Sequence, residues 1–328
     1  MLVPLIKKEI IPASFPTDLL IHAIGKFLDL SDMAQLAETN KFYNSLFQPR
    51  LSVIPLLVHV ARGQQDEADV LLTKHPELLL ERGDVTDYSG RSFVSISPLE
   101  YAYWAMDTHM CRMLEQHLMA LEPTRCEKTK AIMLKRLNKI EEYGLTYKQY
   151  GVVVEHSKHF DFSPLITALR RYIAGFHNWC ALRNYDAINA AWMAVGIAQR
   201  DMPVHVVNEY CFPNRLFDPR PAFNERVMPR NVEFFKDMTT SLSPLFPLVI
   251  SDSSGLGVDF ALVRGGRWCN GNPLLTARGD SGSDVGFLRV PIDLAAMSHL
   301  AEIRKADLAS FLQVLLPTDL ESSHSMSV

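Results

Sequence analysis

No stretch of the sequence holds the roughly 18 consecutive apolar residues that a bilayer-crossing helix needs, so a membrane span is not expected. The chain also lacks an excess of one charge: 33 Lys and Arg stand against 37 Asp and Glu over 328 residues, a net charge of −4. That balance gives no general attraction to phosphate backbones or anionic lipid, and nucleic-acid binding is not expected either. Cysteine is scarce. Its five copies, Cys111, Cys126, Cys180, Cys211 and Cys269, are odd in number, widely spaced and without a CxxC pair. They suggest neither a disulfide framework nor a closed zinc site, and fit a reducing, cytoplasmic setting. A secretory signal is missing as well, because Lys7, Lys8 and Glu9 end the apolar run Met1 to Ile6 too early for an h-region, and the mature chain is expected to begin near Met1. No GxxxxGK[ST] frame occurs, so SDSSGLG and RGDSGSDVG read as turns, not phosphate loops. What remains is a folded chain, 48% apolar and 21% charged, of a length that suits two domains or one body with small modules.

From Phe15 to Leu51 the residues Leu19, Leu20, Ile24, Phe27, Leu28, Met33, Leu36, Phe42 and Leu46 recur at steps of three and four, the pattern of successive amphipathic helices. Pro16 and Asp18 supply a start, and Asp29, Ser31 and Asp32 a break with a fresh N-cap, so three short helices are expected. Periodicity alone also fits a helical cap on the main body. The order of residues in FPTDLLIHAIGKFLDLSDMAQLAETNKFYNSL, however, resembles the F-box, the module that docks substrate receptors onto the Skp adaptor of cullin-RING ubiquitin ligases. The family's Leu-Pro corresponds to Phe15 and Pro16, its acidic-Leu-Leu to Asp18, Leu19 and Leu20, its Ile-x-x-x-Leu to Ile24 and Leu28, and its Asp-Leu to Asp32 and Met33. Leu36 falls in step, Tyr43 stands where the family often has tryptophan, and one residue is inserted before Ile24. The resemblance implies that Phe15, Pro16, Leu19, Leu20, Ile24, Leu28, Met33, Leu36 and Tyr43 form the Skp contact.

Next, Pro55 to Gly63, Ala68 to Leu72 and Pro76 to Leu80 read as helix, turn, helix and loop, in an order similar to an ankyrin repeat. A second copy opens at Ser97-Pro98-Leu99-Glu100, with Cys111, Met113, Leu114 and Leu118 on the inner stripe of its second helix. The two openings lie about 43 residues apart against the family's 33, so an inserted finger is expected from Asp84 to Phe93. Only nine residues, FQPRLSVIP, join Leu46 to Leu56, which argues for a short, stiff connection and a rigid arm. Pro123 to Tyr143 reads as a further amphipathic helix with Met133, Leu134, Leu137 and Ile140 inward and Lys128, Lys130, Lys135, Arg136 and Lys139 outward.

Beyond Phe160, helices are expected over Pro164 to Phe176, Tyr185 to Gln199 and Ile292 to Leu316. Five prolines between Pro203 and Pro229 point to ordered loop, and Gly257 to Trp268 reads as a β-hairpin turning at Gly265-Gly266. Candidate chemistry is thin. His205, Glu209 and Cys211 would share a face if helical but lack the spacing of a closed metal site, and His177 with Cys180, or His205 with Cys211, would be the pairs for a thiolate nucleophile. Ser95-Ile96-Ser97 has no Glu-x-Glu loop to complete an ADP-ribosyltransferase pattern. The stretch WCALRNYDAINAAWMAVGIAQRDMPVHVVNEYCFPNRLFDPRPAF, with DYSGR and EYAYWAMDTHM upstream, resembles a region of type IV secreted effectors of intracellular bacteria. That resemblance implies action in the host cytosol, and the polar tail after Leu316, expected to be disordered, looks like a translocation signal.

These readings give a mainly α chain: a three-helix F-box (1–51) packed on ankyrin-like helical pairs (52–122), a connecting helix (123–160), an α-rich α+β body with a small β-hairpin (161–316) and a tail (317–328). The expected function is a non-catalytic substrate receptor that binds a Skp adaptor and, through it, a cullin-RING ligase, and recruits a host protein. Tyr88, Arg91, Arg215, Phe217, Arg264 and Arg267 are the candidate substrate surface, and no metal or cofactor is expected. The alternative is a host-protein-modifying enzyme in the C-terminal half, for example a transferase, which the F-box only locates.

Overall fold

The computed structural model describes residues 28, 30–39, 41–212, 216–228, 230, 233–235, 242–244, 261–269, 272–278 and 289–316. Helix α1 (Leu30–Thr39) carries Asp32 in its first turn, where a carboxylate complements the helix dipole. Helix α2 (Lys41–Ala61) then runs 21 residues with Pro49 and Pro55 inside it. Each proline removes one ladder hydrogen bond, and packing at both ends offsets the loss. Near its start, Phe47 enters a small cluster with Leu28, Met33, Leu36 and Ala37. Farther on, Val53, Leu56, Leu57, Val60 and Ala61 enter the main core. The stretch expected as a short, stiff connection is helix interior.

Gly63, at φ +67°, turns the chain into α3 (Gln65–Lys74), and a 3-10 turn (Pro76–Leu79) leads to the hairpin β1 (Gly83–Thr86) and β2 (Ser92–Ile96). Helices α4 (Pro98–Trp104) and α5 (Thr108–Met119) follow. The order is thus helix pair, finger, helix pair. Ser97 and Glu100 form a capping box at α4 with Pro98 in its first turn, and the same Glu100 carboxylate is paired with Arg82.

Helix α6 (Pro123–Tyr143) buries Met133, Leu137 and Ile140 as its periodicity requires. Lys130, expected outward, is buried, and Arg136 donates to the Leu80 carbonyl at 2.7 Å. The segment after α6 holds two strands absent from the sequence reading, β3 (Leu145–Gln149) and β4 (Val152–Ser157), which extend the finger into an antiparallel sheet of order β1-β2-β3-β4. The strands gave no alternating signal because β4 exposes successive apolar residues, Val152 and Val153, at a sheet edge.

In the C-terminal half, α7 (Ser163–Ala181), α8 (Tyr185–Arg200) and α10 (Val290–Leu315) flank α9 (Val204–Cys211), which forms inside the proline-rich stretch expected to be loop. Pro203 causes no conflict there, since it precedes the first helical residue, where its missing N–H is not needed. Tyr172 of α7 meets Trp192 of α8 at 4.8 Å between ring centroids. A second sheet takes the order β6-β5-β8-β7 from β5 (Glu233–Phe235), β6 (Leu242–Pro244), β7 (Ala261–Cys269) and β8 (Asn272–Arg278). Gly265 and Gly266 lie within β7, at a register shift between Arg264 and Arg267, while Cys269 pairs with Asn272. The chain reversal therefore falls after Cys269, and the glycines serve a bulge rather than a turn. The buried Gln199 side chain docks this sheet on α8 by bonding both the N–H and the C=O of Leu262 at 2.8 Å.

One hydrophobic cluster takes in residues of the helical pairs, the finger and α6 to α10, from Val53 to Leu315. No helix among the described residues is long and apolar enough to cross a membrane. The docking of β1 on α2 is tight at Gly83, where an added Cβ would lie 2.8 Å from Val53 Cγ1 and 3.0 Å from Leu57 Cδ1. Gly83→Ala should therefore cost about 1–3 kcal/mol of unfolding free energy by overpacking, measured by urea denaturation. A neutral substitution would contradict this packing.

Candidate functional site

Of the residues expected to contact a Skp adaptor, Phe15, Pro16, Leu19, Leu20 and Ile24 lie outside the described residues. Leu28, Met33 and Leu36 are buried in the small N-terminal cluster. Tyr43 is half-buried and stacks on Phe47, with centroids 6.3 Å apart. The structure thus brings Leu28, Met33, Leu36 and Tyr43 together around Phe47, just before α1, on α1 and on the first turns of α2.

The expected substrate surface is distributed differently. Arg91 is only 2% exposed, not on an open finger. The motif DYSGR folds into a tight turn in which the Asp87 N–H donates to the Arg91 carbonyl at 3.0 Å and the Gly90 N–H to the Asp87 carbonyl at 3.1 Å. This turn aims the Arg91 guanidinium inward. There Nη1 donates to Asp87 Oδ2 at 2.9 Å and Nη2 to the carbonyl of Asp201, while the rings of Trp104, Phe160 and Tyr147 lie 5.4, 5.5 and 6.0 Å from its centre. Tyr101 O–H donates to the same Asp87 oxygen at 3.2 Å. Burial alone would depress the guanidinium's pKa, and Asp87 with Tyr101 and Tyr147 more than reverses this, so the net shift is upward. Ser89 Oγ completes the turn, 3.0 Å from the Arg200 carbonyl and 2.9 Å from that of Met202. Tyr88 is half-buried under the Arg62 guanidinium at 5.2 Å. Phe217 is buried against Tyr210 and Phe223. Arg215 lies outside the described residues, and Arg264 and Arg267 are described only as backbone within β7. Arg91 and Phe217 therefore hold the fold together, since a buried guanidinium with its donors engaged has nothing left to offer a partner.

Among the described residues, a second concentration of charged and titratable groups lies where α5, α9, α10 and the stretch holding Glu225 and Arg230 meet. Asp107 caps α5 through the Met110 N–H at 3.1 Å and accepts both Arg230 nitrogens at 3.0 Å. Arg230 also donates to Gln65 Oε1 at 2.9 Å. Arg304, fully buried in α10, donates to Glu209 Oε1 at 2.9 Å and approaches Asp307 at 3.4 Å. Burial pushes the Asp107 carboxyl up, but Arg230 and the neighbouring histidines outweigh it and hold it well below the usual carboxylate range. His109 reaches the Glu225 carbonyl through Nε2 at 2.7 Å. His205 and Asn208 of α9 are buried beside these pairs.

The helical spacing placed His205 and Glu209 on one face, as the sequence suggested, but Glu209 is engaged by Arg304 rather than held for a metal. Among the described residues no group of three His, Cys, Asp or Glu is placed to hold a metal ion. Cys111 is buried, and burial pushes its thiol well up, which makes it a poor nucleophile. Cys180 is exposed, one helical turn beyond His177. The Cys211 side chain lies outside the described residues. Asp107, Arg230 and Arg304 were missed in the sequence reading. A signal for Arg304 existed: it lies four residues after Leu300 and four before Leu308, both buried, so it occupies a core register of α10.

Compared with known proteins, the chain is 34% identical over 318 residues to a protein of Coxiella burnetii (strain RSA 493 / Nine Mile phase I) described as uncharacterized protein CBUA0006. The match spans 94% of this chain and 88% of that protein. A family model described as the CBUA0006 C-terminal domain matches residues 164–315, which run from the start of α7 to the end of α10. No solved structure matches.

The Arg91 geometry gives a direct test. Arg91→Ala strips a buried carboxylate of its partner and should cost about 3–5 kcal/mol in urea denaturation at neutral pH. Arg91→Lys keeps the charge but not the fork or the ring stacking, and should recover only part of that loss. A cost below about 1 kcal/mol for Arg91→Ala, the range of an exposed pair, would contradict the buried placement.

Proposed function

We propose that the chain, which belongs to the CBUA0006 family, is a non-catalytic interaction protein whose F-box-like N-terminal module docks on a Skp adaptor and whose body recruits a host protein to the cullin-RING ligase. The observation that carries this reading is the continuity of α2. It contributes Phe47 to the small N-terminal cluster and Val53 to Ala61 to the main core without a break. A receptor must hold its cargo at a fixed distance and angle from the ligase, and one helix shared by two cores supplies that stiffness.

Four further features support the reading. Leu28, Met33 and Leu36, which match F-box positions, gather into one apolar cluster, as the core of a small helical module would. The helix pair, finger and helix pair over 41–119 agree with the resemblance to ankyrin repeats, modules whose role is protein binding. Exposed Val94 and Val227 stand on β2 and on the proline-rich segment, leaving apolar surface there for cargo. The Coxiella burnetii relative agrees with the resemblance to secreted effectors, under which the site of action is the host cytosol.

Binding to purified Skp adaptor tests the proposal. The wild-type chain should be retained, and Leu19→Ala combined with Pro16→Ala, with an unchanged circular dichroism spectrum, should lose about 2 kcal/mol, roughly thirtyfold in affinity. Absence of wild-type binding, or undiminished binding by the folded double variant, overturns it.

A further inference from the structure

The junction of α5, α9 and α10 buries two histidines, His109 and His205, that the proposed function does not use. His205 and Asn208 lie one turn apart on α9, 2% and 0% exposed. Neither ring nitrogen of His205, and neither amide atom of Asn208, has a hydrogen-bond partner among the described residues. Such groups carry a desolvation cost that ion-pair chemistry elsewhere in the junction does not relieve. Around His205 the charged groups come from every side. Asp107 lies at the start of α5 with His109 beside it, Arg304 and Asp307 lie on α10, Glu209 on α9 itself, and Arg230 between α9 and β5. The carboxylates are already engaged: Asp107 by Arg230, Glu209 by Arg304, and Asp307 by Arg112 and Arg304. A proton on His205 would therefore add a buried cation near two guanidinium groups, with each of these three carboxylates already engaged.

We infer that this junction is an acid-released latch, in which neutral His205 lets α9 close against α5 and α10 and proton uptake by that imidazole opens it. The electrostatics agree with the geometry. Burial is the main cause that pushes His205 down to about 3; Asp107 opposes the shift, and Arg304 and Arg230 add to it. His109 is lowered too, mainly by burial, with Arg304 contributing. A folded-state value below the ordinary 6.5 means that the neutral form is favoured in the closed junction. The resulting stability is complete above pH 6.5 and falls as pH drops from 6.5 toward 3. In that window each pH unit raises the opening constant about tenfold through His205 alone. Asp107, whose carboxyl is held low, loses its contribution only below the ordinary carboxylate range, so the interval above pH 5 belongs to the histidines.

The test is urea unfolding of the full chain at pH 7.5 and pH 5.0, for wild type and for His205→Leu, which cannot titrate and leaves no unpartnered nitrogen. The wild-type unfolding constant should rise about thirtyfold more on acidification than that of the variant. An equal rise in both proteins overturns the latch. Where His205→Leu does not fold, hydrogen exchange of the wild type decides, after correction for intrinsic rates. Opening of the α9 amides should increase about thirtyfold between pH 7.5 and 5.0, and unchanged protection overturns the proposal.

Discussion

A guanidinium taken out of water must find both a counter-charge and a set of neighbours that replace its hydration, and Arg91 meets both demands from five separate parts of the chain. Asp87 supplies the charge, Trp104, Tyr147 and Phe160 the flat surfaces, and the Asp201 carbonyl a last acceptor. These groups belong to the finger turn, α4, β3, the segment before α7, and the turn between α8 and α9. No two consecutive elements make the site alone. Once the guanidinium is buried, the removal of any of its partners leaves an uncompensated charge, so the finger, the helical pairs and the C-terminal helices are held to one arrangement.

The Asp107, Arg230, Glu209 and Arg304 junction is a second polar site inside the same fold, with Asp107 only three residues beyond the Trp104 that meets Arg91. Here too the contacts span the chain: Gln65 follows the Gly63 turn, Asp107 opens α5, Glu209 ends α9 and Arg304 lies midway along α10. A buried polar junction adds little net stability over an apolar one but tolerates fewer alternative packings. Gln199 works in the same way on a smaller scale, binding the Leu262 backbone as a neighbouring strand would. The N-terminal cluster shares none of these polar ties and is joined to the body through α2.

Much of the helical content was legible because it is written in local periodicity. The stripes of Pro123–Tyr143, Tyr185–Arg200 and Val290–Leu315 need only the sequence around them, as does the Ser97 and Glu100 capping box. The misreadings share one cause: each depends on a partner far along the chain. The nine residues from Phe47 to Pro55 read as a short connection until packing at both ends of α2 offsets the cost of Pro49 and Pro55 inside one helix. Gly265 and Gly266 read as a turn until the pairing of β7 with β8 turns them into a bulge. Arg91 reads as surface until the rings that receive it, as distant as Phe160, are in place. The polar junction was the least legible feature, since Asp107, Arg230 and Arg304 are separated by more than 70 residues at each step and meet only in the finished fold.

The central claim is that Arg91 couples the finger and helical pairs to the C-terminal helices as one unit, and hydrogen exchange measured segment by segment with Arg91→Ala tests it directly. The account predicts that protection falls together in β1–β2, in α4 and in the distant α8 and α9, by about the same opening free energy in each. A variant in which the finger loosens while α8 and α9 keep wild-type protection would contradict it.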